Sequence, residues 1–304
     1  MSSHTALPIE PLDVLIIGAG VSGIGAAAYL RRHQPHKVFA ILESRERMGG
    51  TWDLFRYPGI RSDSDMFTLG YNFKPWSDPK AIADGPSIRR YIEETARENG
   101  IDRKIRYRHR VLRADWDSAN ARWNLDVQRG DEPEPLRMTA QFLLMCTGYY
   151  RYEAGYTPEF VGREDFAGQV VHPQLWPEDL DYSGKKVVVI GSGATAVTLV
   201  PSLTDKAAHV TMLQRSPSYV ITLPQKDAIS NFLRRFLPET WIYRQARARN
   251  VAMQMVFFML ARTFPGLVRK VLLKLASLQL GKRFDMRHFR PRYKPWDERV
   301  CAVS

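Results

Sequence analysis

An α/β fold with two parallel-sheet halves in tandem is predicted for this 304-residue chain, and three observations predict it. Two glycine-rich turns, Gly18-Ala19-Gly20-Val21-Ser22-Gly23 and Gly191-Ser192-Gly193-Ala194-Thr195-Ala196, stand 173 positions apart. Each follows a continuous apolar, β-branched run and opens a helix-like stretch, the strand–turn–helix order of a nucleotide-binding half. Each is followed, about twenty residues on, by a polar residue placed to read a ribose. A lone Gly-x-Gly-x-x-Gly is weak evidence, because such runs arise in loops by chance. Two in this setting predict two bound dinucleotides, and one protein holds two chiefly to pass electrons between them.

In the first half, residues 13–17 (Asp-Val-Leu-Ile-Ile) read as a central parallel strand. Gly18 allows the tight turn, Gly20 lets the backbone approach a pyrophosphate, and Gly23 lets strand and helix pack closely. The helix expected from about 21 to 33 points its first N–H groups at the phosphates. The strand over 38–42 ends in Glu43. A carboxylate there accepts from both hydroxyls of an unphosphorylated ribose, which favours FAD or NAD over NADP. The loop over 49–58, rich in Gly, Pro and aromatics and containing Gly50, Thr51 and Trp52, is expected to run along that cofactor. Residues 86–99 read as an amphipathic helix with Ile88, Tyr91, Ile92 and Thr95 on one face. Strands over 105–111, 122–127 and 137–144 form a small sheet, with a turn at 130–135. Residues 142–148 read as a buried strand leaving the first domain.

In the second half, residues 186–190 are the strand and Ala196 takes the third small position. The next strand, 209–213, ends in Gln214-Arg215-Ser216 with no acid. A guanidinium there pairs with a ribose 2′-phosphate, which a carboxylate would repel. The sequence therefore predicts FAD in the first half and NADPH in the second. The expected boundaries are 1–150 for an FAD-binding domain, 151–228 for a linker and NADPH-binding domain, and 229–304 for a basic helical segment.

Composition narrows the choices. Two cysteines, Cys146 and Cys301, form no Cys-x-x-Cys, which argues for a reducing compartment and against a flavin disulfide reductase. No His, Cys or carboxylate cluster has metal-ligand spacing, so no metal is expected. The net charge is +12, and residues 229–304 hold sixteen Lys or Arg against four Asp or Glu, so the whole excess lies there. No nucleic-acid module accompanies those cations, and nucleic acid is not an expected partner. The apolar stretch 251–261 is shorter than the ~20 residues a spanning helix needs. It reads as a helix packed on the protein itself, with an interfacial helix as the alternative. The polar, Pro-containing stretch 1–11 is no secretory signal, and a cytoplasmic protein is expected, with peripheral membrane contact through 229–304 left open.

The stretch Phe166-Ala167-Gly168-Gln169-Val170-Val171-His172-Pro173-Gln174-Leu175-Trp176-Pro177 lies between the two turns. It resembles the fingerprint F-x-G-x-x-x-H-x-x-x-W-P of the flavin-containing monooxygenase superfamily, and Trp176 favours its type I Baeyer–Villiger branch. Gly49-Gly50-Thr51-Trp52, Arg56-Tyr57-Pro58-Gly59 and the run from Trp176 to Tyr182 are similar to the ethionamide-activating subgroup. The resemblance covers the chain from Leu12 onward.

That resemblance implies a monooxygenase using FAD, NADPH and O₂. Through a C4a-peroxyflavin it would insert one oxygen into a lipophilic ketone, giving an ester or lactone, or oxidise soft sulfur. It implies Arg299 as the catalytic cation and Asp63 as the acid that orients it near the flavin. For Phe166, Gly168, His172, Trp176 and Pro177 it implies a role in coupling domain motion to NADPH binding. It also implies that residues 229–304 begin a return to the FAD domain whose remainder is missing, so the chain reads as C-terminally truncated. Glu298 stands where many relatives carry a Lys. Three readings stay open: an active monooxygenase, a truncated homologue that catalyses nothing, and a basic membrane-surface or scaffold protein reusing the fold.

Overall fold

The computed structural model of the protein describes residues 12–281 and 284–303. The N-terminal stretch read above as lacking a signal lies outside the described residues. In chain order the strands and helices are β1 (Leu12–Ile17), α1 (Val21–His33), β2 (Phe39–Leu42), α2 (Thr51–Leu54), α3 (Met66–Leu69), α4 (Gly85–Glu98), β3 (Ile105–Arg106), β4 (His109–Asp117), β5 (Arg122–Arg129) and β6 (Leu136–Met145). They continue with β7 (Lys186–Ile190), α5 (Ala194–Leu203), β8 (His209–Leu213), β9 (Tyr219–Thr222), α6 (Ala228–Leu233), α7 (Glu239–Thr263), α8 (Pro265–Leu280) and β10 (Val300–Val303). The chain divides into two compact units, 1–55 with 86–169 and 56–85 with 170–304.

The first unit is a six-stranded sheet in the order β3-β2-β1-β6-β5-β4. The runs of Val, Leu and Ile in β1 and β2 are buried on both faces, as a central parallel strand requires. β1 pairs in parallel with β2 and β6, and β6 continues into an antiparallel meander with β5 and β4. The expected separate small sheet is therefore part of the main one. The strand expected over 105–111 is broken at Arg108, which takes φ +58°. On one side β3 joins β2 in parallel, and on the other β4 joins β5 antiparallel. Leu12, Leu15, Leu42, Leu125, Val127 and Met138 form the core of the sheet, each such side chain contributing roughly 1.5–3 kcal/mol on burial. The α4 face carrying Ile88, Tyr91, Ile92 and Thr95 is buried as its spacing predicts.

One expectation fails here. The end of β6 was read as buried, yet Phe142 and Met145 are 63% exposed. β5 pairs with β6 only as far as Ala140, so beyond it residues 141–145 pair with β1 alone among the described residues. The apolar run is real, but its outer edge has no neighbouring strand.

The second unit contains two parallel pairs, β7 with β8 and β9 with β10. Residues 56–85, which sequence order placed with the first half, cluster here. The backbone shows why: Ala81 N–H donates to Gln225 O at 2.7 Å, and the Arg61 guanidinium donates to Ala302 O at 2.8 Å. α7 packs on α3, and Ile242, Tyr243, Ala246 and Asn250 are the buried residues of its first half. Arg247 seals the end of α3, donating to the carbonyls of Phe67, Thr68 and Gly70 at 2.7, 3.2 and 2.8 Å, the favourable place for a cation beside the orphaned acceptors of a helix C-terminus. Beyond Asn250, helix α7 departs from the packed helix expected over 251–261. Its residues from Val251 to Leu260 are exposed apart from the half-buried Phe257.

Candidate functional site: two dinucleotide turns

Both glycine turns have one backbone plan. Gly18 N–H donates to Leu42 O at 2.8 Å, and Gly191 N–H donates to Leu213 O at 2.8 Å, so each turn is tied to the strand beside its own. Gly20 (φ −83°, ψ −169°) and Gly193 (φ −83°, ψ −178°) precede α1 and α5, and no side chain caps either helix. The first-turn N–H groups and the helix dipole of each are thus directed at the place where a pyrophosphate would lie.

The first turn is closed by its own backbone. Gly18 takes φ +104°, and a Cβ there would come within 2.5 Å of Cys146 O. A Cβ on Gly23 would overlap the Gly18 carbonyl oxygen, so only glycine lets α1 sit this close to β1. Ala196, the third small residue of the second turn, is buried. Glu43 is 3% exposed, and its carboxylate accepts from Ala19 N–H at 2.9 Å and Arg45 N–H at 3.0 Å. A carboxylate offers about four acceptor positions, so ribose hydroxyls can still be received.

The loop at Gly50, Thr51 and Trp52 faces this turn. The backbone of Gly50 approaches Gly20, whose own added Cβ would lie 3.6 Å from the Gly50 Cα. Thr51 and Trp52 open the single turn α2, and both are half-buried. What holds this loop is a cluster that sequence reasoning missed. Asp53 is 2% exposed and lies between two guanidiniums, Arg45 at 2.8 Å and Arg89 at 3.2 Å. Arg45 also lies over the ring of Tyr152, 5.6 Å from its centroid. The signal was the acid directly after Gly-Gly-Thr-Trp, one of whose partners, Arg89, sits 36 positions off in sequence.

The second turn is more open. Ser192 Oγ donates to Ser216 O at 2.8 Å, fixing the turn against the strand end that carries Arg215, and Arg215 itself is exposed. Arg299 comes to the same place from the far end of the chain: a Cβ on Gly193 would lie 3.5 Å from its Nη1. Cys301 donates to Ser192 O at 3.9 Å. Burial, with Asp63 adding to it, raises the Cys301 thiol against the pull of Arg299. Asp63 is on this side of the molecule too, and burial raises its carboxyl while Arg61 opposes that. Arg61, a residue the sequence did not single out, also acts on the Asp63 carboxyl. Its Nη1 is buried with no hydrogen-bond acceptor. Tyr57 hydrogen-bonds with Thr195 of the turn, and a Cβ on Gly59 would overlap Ser202 of α5, so the Arg56–Gly59 run is seated on the helix that the second turn opens.

The fingerprint from Phe166 to Pro177 crosses the division between the two units, with Phe166 and Gly168 in the first and His172, Trp176 and Pro177 in the second. The Phe166 ring occupies the space a side chain on Gly168 would need, 2.5 Å from its Cβ position. His172 Nδ1 accepts from Gln174 N–H at 3.2 Å, and Trp176 meets Tyr182 edge-on at 6.2 Å.

A sequence profile of the pyridine nucleotide-disulphide oxidoreductase family matches residues 12–242, which spans both turns. The chain belongs to that family. As a member of this oxidoreductase family it lacks the adjacent dithiol the name suggests, since its two cysteines stand 155 positions apart. It is 57% identical over 298 residues to the putative FAD-containing monooxygenase MymA of Mycobacterium tuberculosis, covering 97% of this chain and 60% of that protein. The FAD-containing monooxygenase EthA of Mycolicibacterium smegmatis is 56% identical over 296 residues, with 97% and 60% covered. The probable FAD-binding monooxygenase AlmA of Acinetobacter is 53% identical, with 97% and 59% covered. The chain thus spans about three fifths of the length of these relatives. Among solved structures, an oxidized steroid monooxygenase bound to NADP matches with a TM-score of 0.77 at 24% identity, over 96% of this chain and 62% of that one. Cyclohexanone monooxygenase bound to ε-caprolactone matches with a TM-score of 0.78 at 20% identity, over 96% and 64%. These two likenesses show the fold.

Proposed function

We propose that this chain is the FAD- and NADPH-binding part of a Baeyer–Villiger-type monooxygenase. Such an enzyme inserts one oxygen of O₂ into a small lipophilic ketone or oxidises soft sulfur. One observation carries the reading: two turns of the same backbone plan end in opposite ribose readers, the buried carboxylate of Glu43 and the exposed guanidinium of Arg215. The names of the relatives agree with it.

The residues present fit both cofactors. Gly18, Gly20, Gly23 and Gly50 leave a cradle without Cβ atoms for the FAD pyrophosphate, with Thr51 and Trp52 beside it. Glu43 accepts from the ribose hydroxyls. Gly191, Gly193 and Ala196 form the second cradle, and Arg215 pairs with the 2′-phosphate that separates NADPH from NADH. FAD, when bound, supplies a two-electron acceptor for the hydride of NADPH and the centre at which O₂ is reduced.

Arg299 brings a positive charge to the second cradle, and as the catalytic cation it would stabilise negative charge developing at the flavin. Asp63, whose carboxyl is raised by burial with Arg61 opposing, is the acid assigned to orient that cation. His172, with Phe166, Gly168, Trp176 and Pro177, lies on the segment joining the two units, and its role is to couple their motion to NADPH binding. The domain assignment proposed is FAD within 1–150, with residues 56–85 clustering instead in the second unit, the linker and NADPH within 151–228, and the basic helical segment over 229–304.

A second reading, a nucleotide-binding chain that does not turn over by itself, is favoured by the open outer edge of β6 over residues 141–145. One experiment separates the two. The visible spectrum of the purified protein is recorded with and without added FAD, then with NADPH or NADH under anaerobic conditions. The monooxygenase reading expects a bound flavin band that NADPH bleaches at least about tenfold faster than NADH. A folded protein that binds no flavin overturns it, and bound flavin that NADPH leaves oxidised supports the second reading.

A further inference from the structure

The basic C-terminal quarter presents an apolar surface that none of the chemistry above uses. α7 and α8 meet at Phe264, where the chain bends by 117°. Around that elbow the side chains that a folded protein normally hides are exposed. Met259 is 60% exposed, Phe264 is 55% and Leu267 is 64%. The pattern continues along α8, where Val271, Leu275 and Leu278 follow Leu267 at spacings of four, four and three and are all exposed. Those spacings put the four on one face of a helix.

The other face of α8 is accounted for. It is the one carrying the buried Leu272, and α8 packs on β9 and α7. α8 is therefore apolar on two sides with protein on only one of them. A helix apolar on two sides belongs between two apolar media. α7 repeats the arrangement: Ala261 is buried, Gln254 donates to Asp65 at 3.4 Å and both Phe257 and Phe258 meet Trp296 at 6.1 Å, while Met255, Val256, Met259 and Leu260 are exposed.

Charge says what the second medium is. Between Thr240 and Gly281 the sequence holds seven Lys or Arg and no Asp or Glu. Four of the seven have partners within the protein. Arg247 seals α3, Arg249 pairs with Asp227, Arg262 pairs with Asp297 at 2.6 Å, and Arg269 donates to Pro291 O at 2.8 Å. Arg244, Lys270 and Lys274 are exposed. Lys270 and Lys274 each precede a member of the apolar stripe and lie together along one edge of it, Lys274 only about 20° round the helix from Leu267. An apolar stripe bordered by lysines matches the boundary between acyl chains and anionic headgroups, with the long lysine stems reaching back to the phosphates. Among the described residues no single helix is long and apolar enough to cross a membrane, and α7 and α8 reach that length only together, across the 117° bend. The ten residues from Val251 to Leu260 span ~15 Å, about half the ~30 Å hydrocarbon core.

We propose that the α7–α8 elbow and the outer stripe of α8 dock this protein on an anionic lipid surface, entering one leaflet without crossing it. The surface does not depend on either dinucleotide, so the proposal stands or falls separately from the function above. The test is flotation of the 304-residue chain with vesicles of phosphatidylcholine alone and of phosphatidylcholine mixed with phosphatidylglycerol. Binding to the anionic vesicles is expected to exceed binding to the neutral ones by at least about tenfold and to fall at high salt. Leu267→Glu with Val271→Glu removes binding to both. Lys270→Glu with Lys274→Glu removes the anionic preference. All four side chains are wholly or largely outside the packed core, and unchanged circular dichroism confirms that the variants fold. Equal binding to neutral and anionic vesicles overturns the proposal, because a merely sticky apolar face behaves that way. So does a protein that ignores vesicles and instead forms a dimer that the Leu267→Glu, Val271→Glu variant dissolves, which would assign the face to a second copy.

Discussion

The two glycine turns are near-copies in backbone and opposites in surroundings. Both tie their first glycine to the neighbouring strand with a 2.8 Å hydrogen bond and both start an uncapped helix. The first is locked: its glycines touch backbone atoms, and its ribose reader is buried and already hydrogen-bonded. The second is loose. A Cβ on Gly193 meets only the tip of Arg299, one on Gly191 comes no nearer than 3.8 Å to Ala196, and the ribose reader is exposed. The difference teaches that the same motif can encode a resident site or an exchange site. A cofactor that stays bound suits a preformed cradle, and one that arrives and leaves each turnover suits an open one.

The largest test of that contrast substitutes one glycine on each side. Gly23→Ala drives a methyl into the Gly18 carbonyl, so FAD affinity should fall at least ~100-fold, or folding should fail, given the several kcal/mol such overpacking costs. Gly193→Ala displaces only the tip of Arg299 within the protein, so the fold should be unaffected, and NADPH affinity should fall only through the methyl meeting the pyrophosphate, about tenfold or less. Flavin fluorescence quenching and NADPH titration read the two, and comparable losses would break the comparison.

Next in size is Glu43→Gln. It removes a charged acceptor worth roughly 1.5–3 kcal/mol per hydrogen bond, so FAD should bind about 10- to 100-fold more weakly by the same titration. Arg215→Ala should act on one cofactor only. Its exposed guanidinium supplies about 1–2 kcal/mol, which weakens NADPH roughly tenfold and leaves NADH unchanged. An equal effect on both would remove Arg215 from the 2′-phosphate.

The smallest expected effect is on stability and concerns the second unit alone. Burial pushes the Asp227 carboxyl up, but the Ser230 N–H and Arg249 outweigh it and hold it below its ordinary value. An acid depressed in the folded state stabilises above its unfolded pKa, and that stabilisation disappears as pH falls through the folded value. Asp227→Ala also removes the cap of α6, so it should cost about 1 kcal/mol in urea unfolding at neutral pH and markedly less in acid.

How much of this could be read from the sequence follows the range of the interactions. Strands β1, β2, β7 and β8 and helices α1 and α4 announce themselves through local patterns, and the structure has each within a residue or two of its expected place. The dinucleotide turns were legible for the same reason, since the strand, the glycine spacing and the helix that make the motif are contiguous in the chain. What escaped was decided at long range. Asp53 finds Arg89 36 positions on, and Arg61 reaches Ala302 241 positions on, and no local pattern encodes either pairing. The β6 run 142–145 and the helix over 251–261 were misjudged alike, because hydrophobicity reports a preference for burial and says nothing of whether a neighbour is supplied. The fold class, the family and both cofactor motifs were local; the brace under the first turn and the company kept by Asp63 were not.

The open margin of β6 has a consequence for handling the protein. Beyond Ala140 its outward N–H and C=O groups form a ladder with one rail, flanked by the exposed rings and chains of Phe142 and Met145. A bare edge does not discriminate between strands, and will accept one from any chain that presents it. The protein should therefore lose monomer with a steep dependence on concentration, into assemblies rich in intermolecular β-structure, and a short apolar peptide supplied in excess should hold it dispersed.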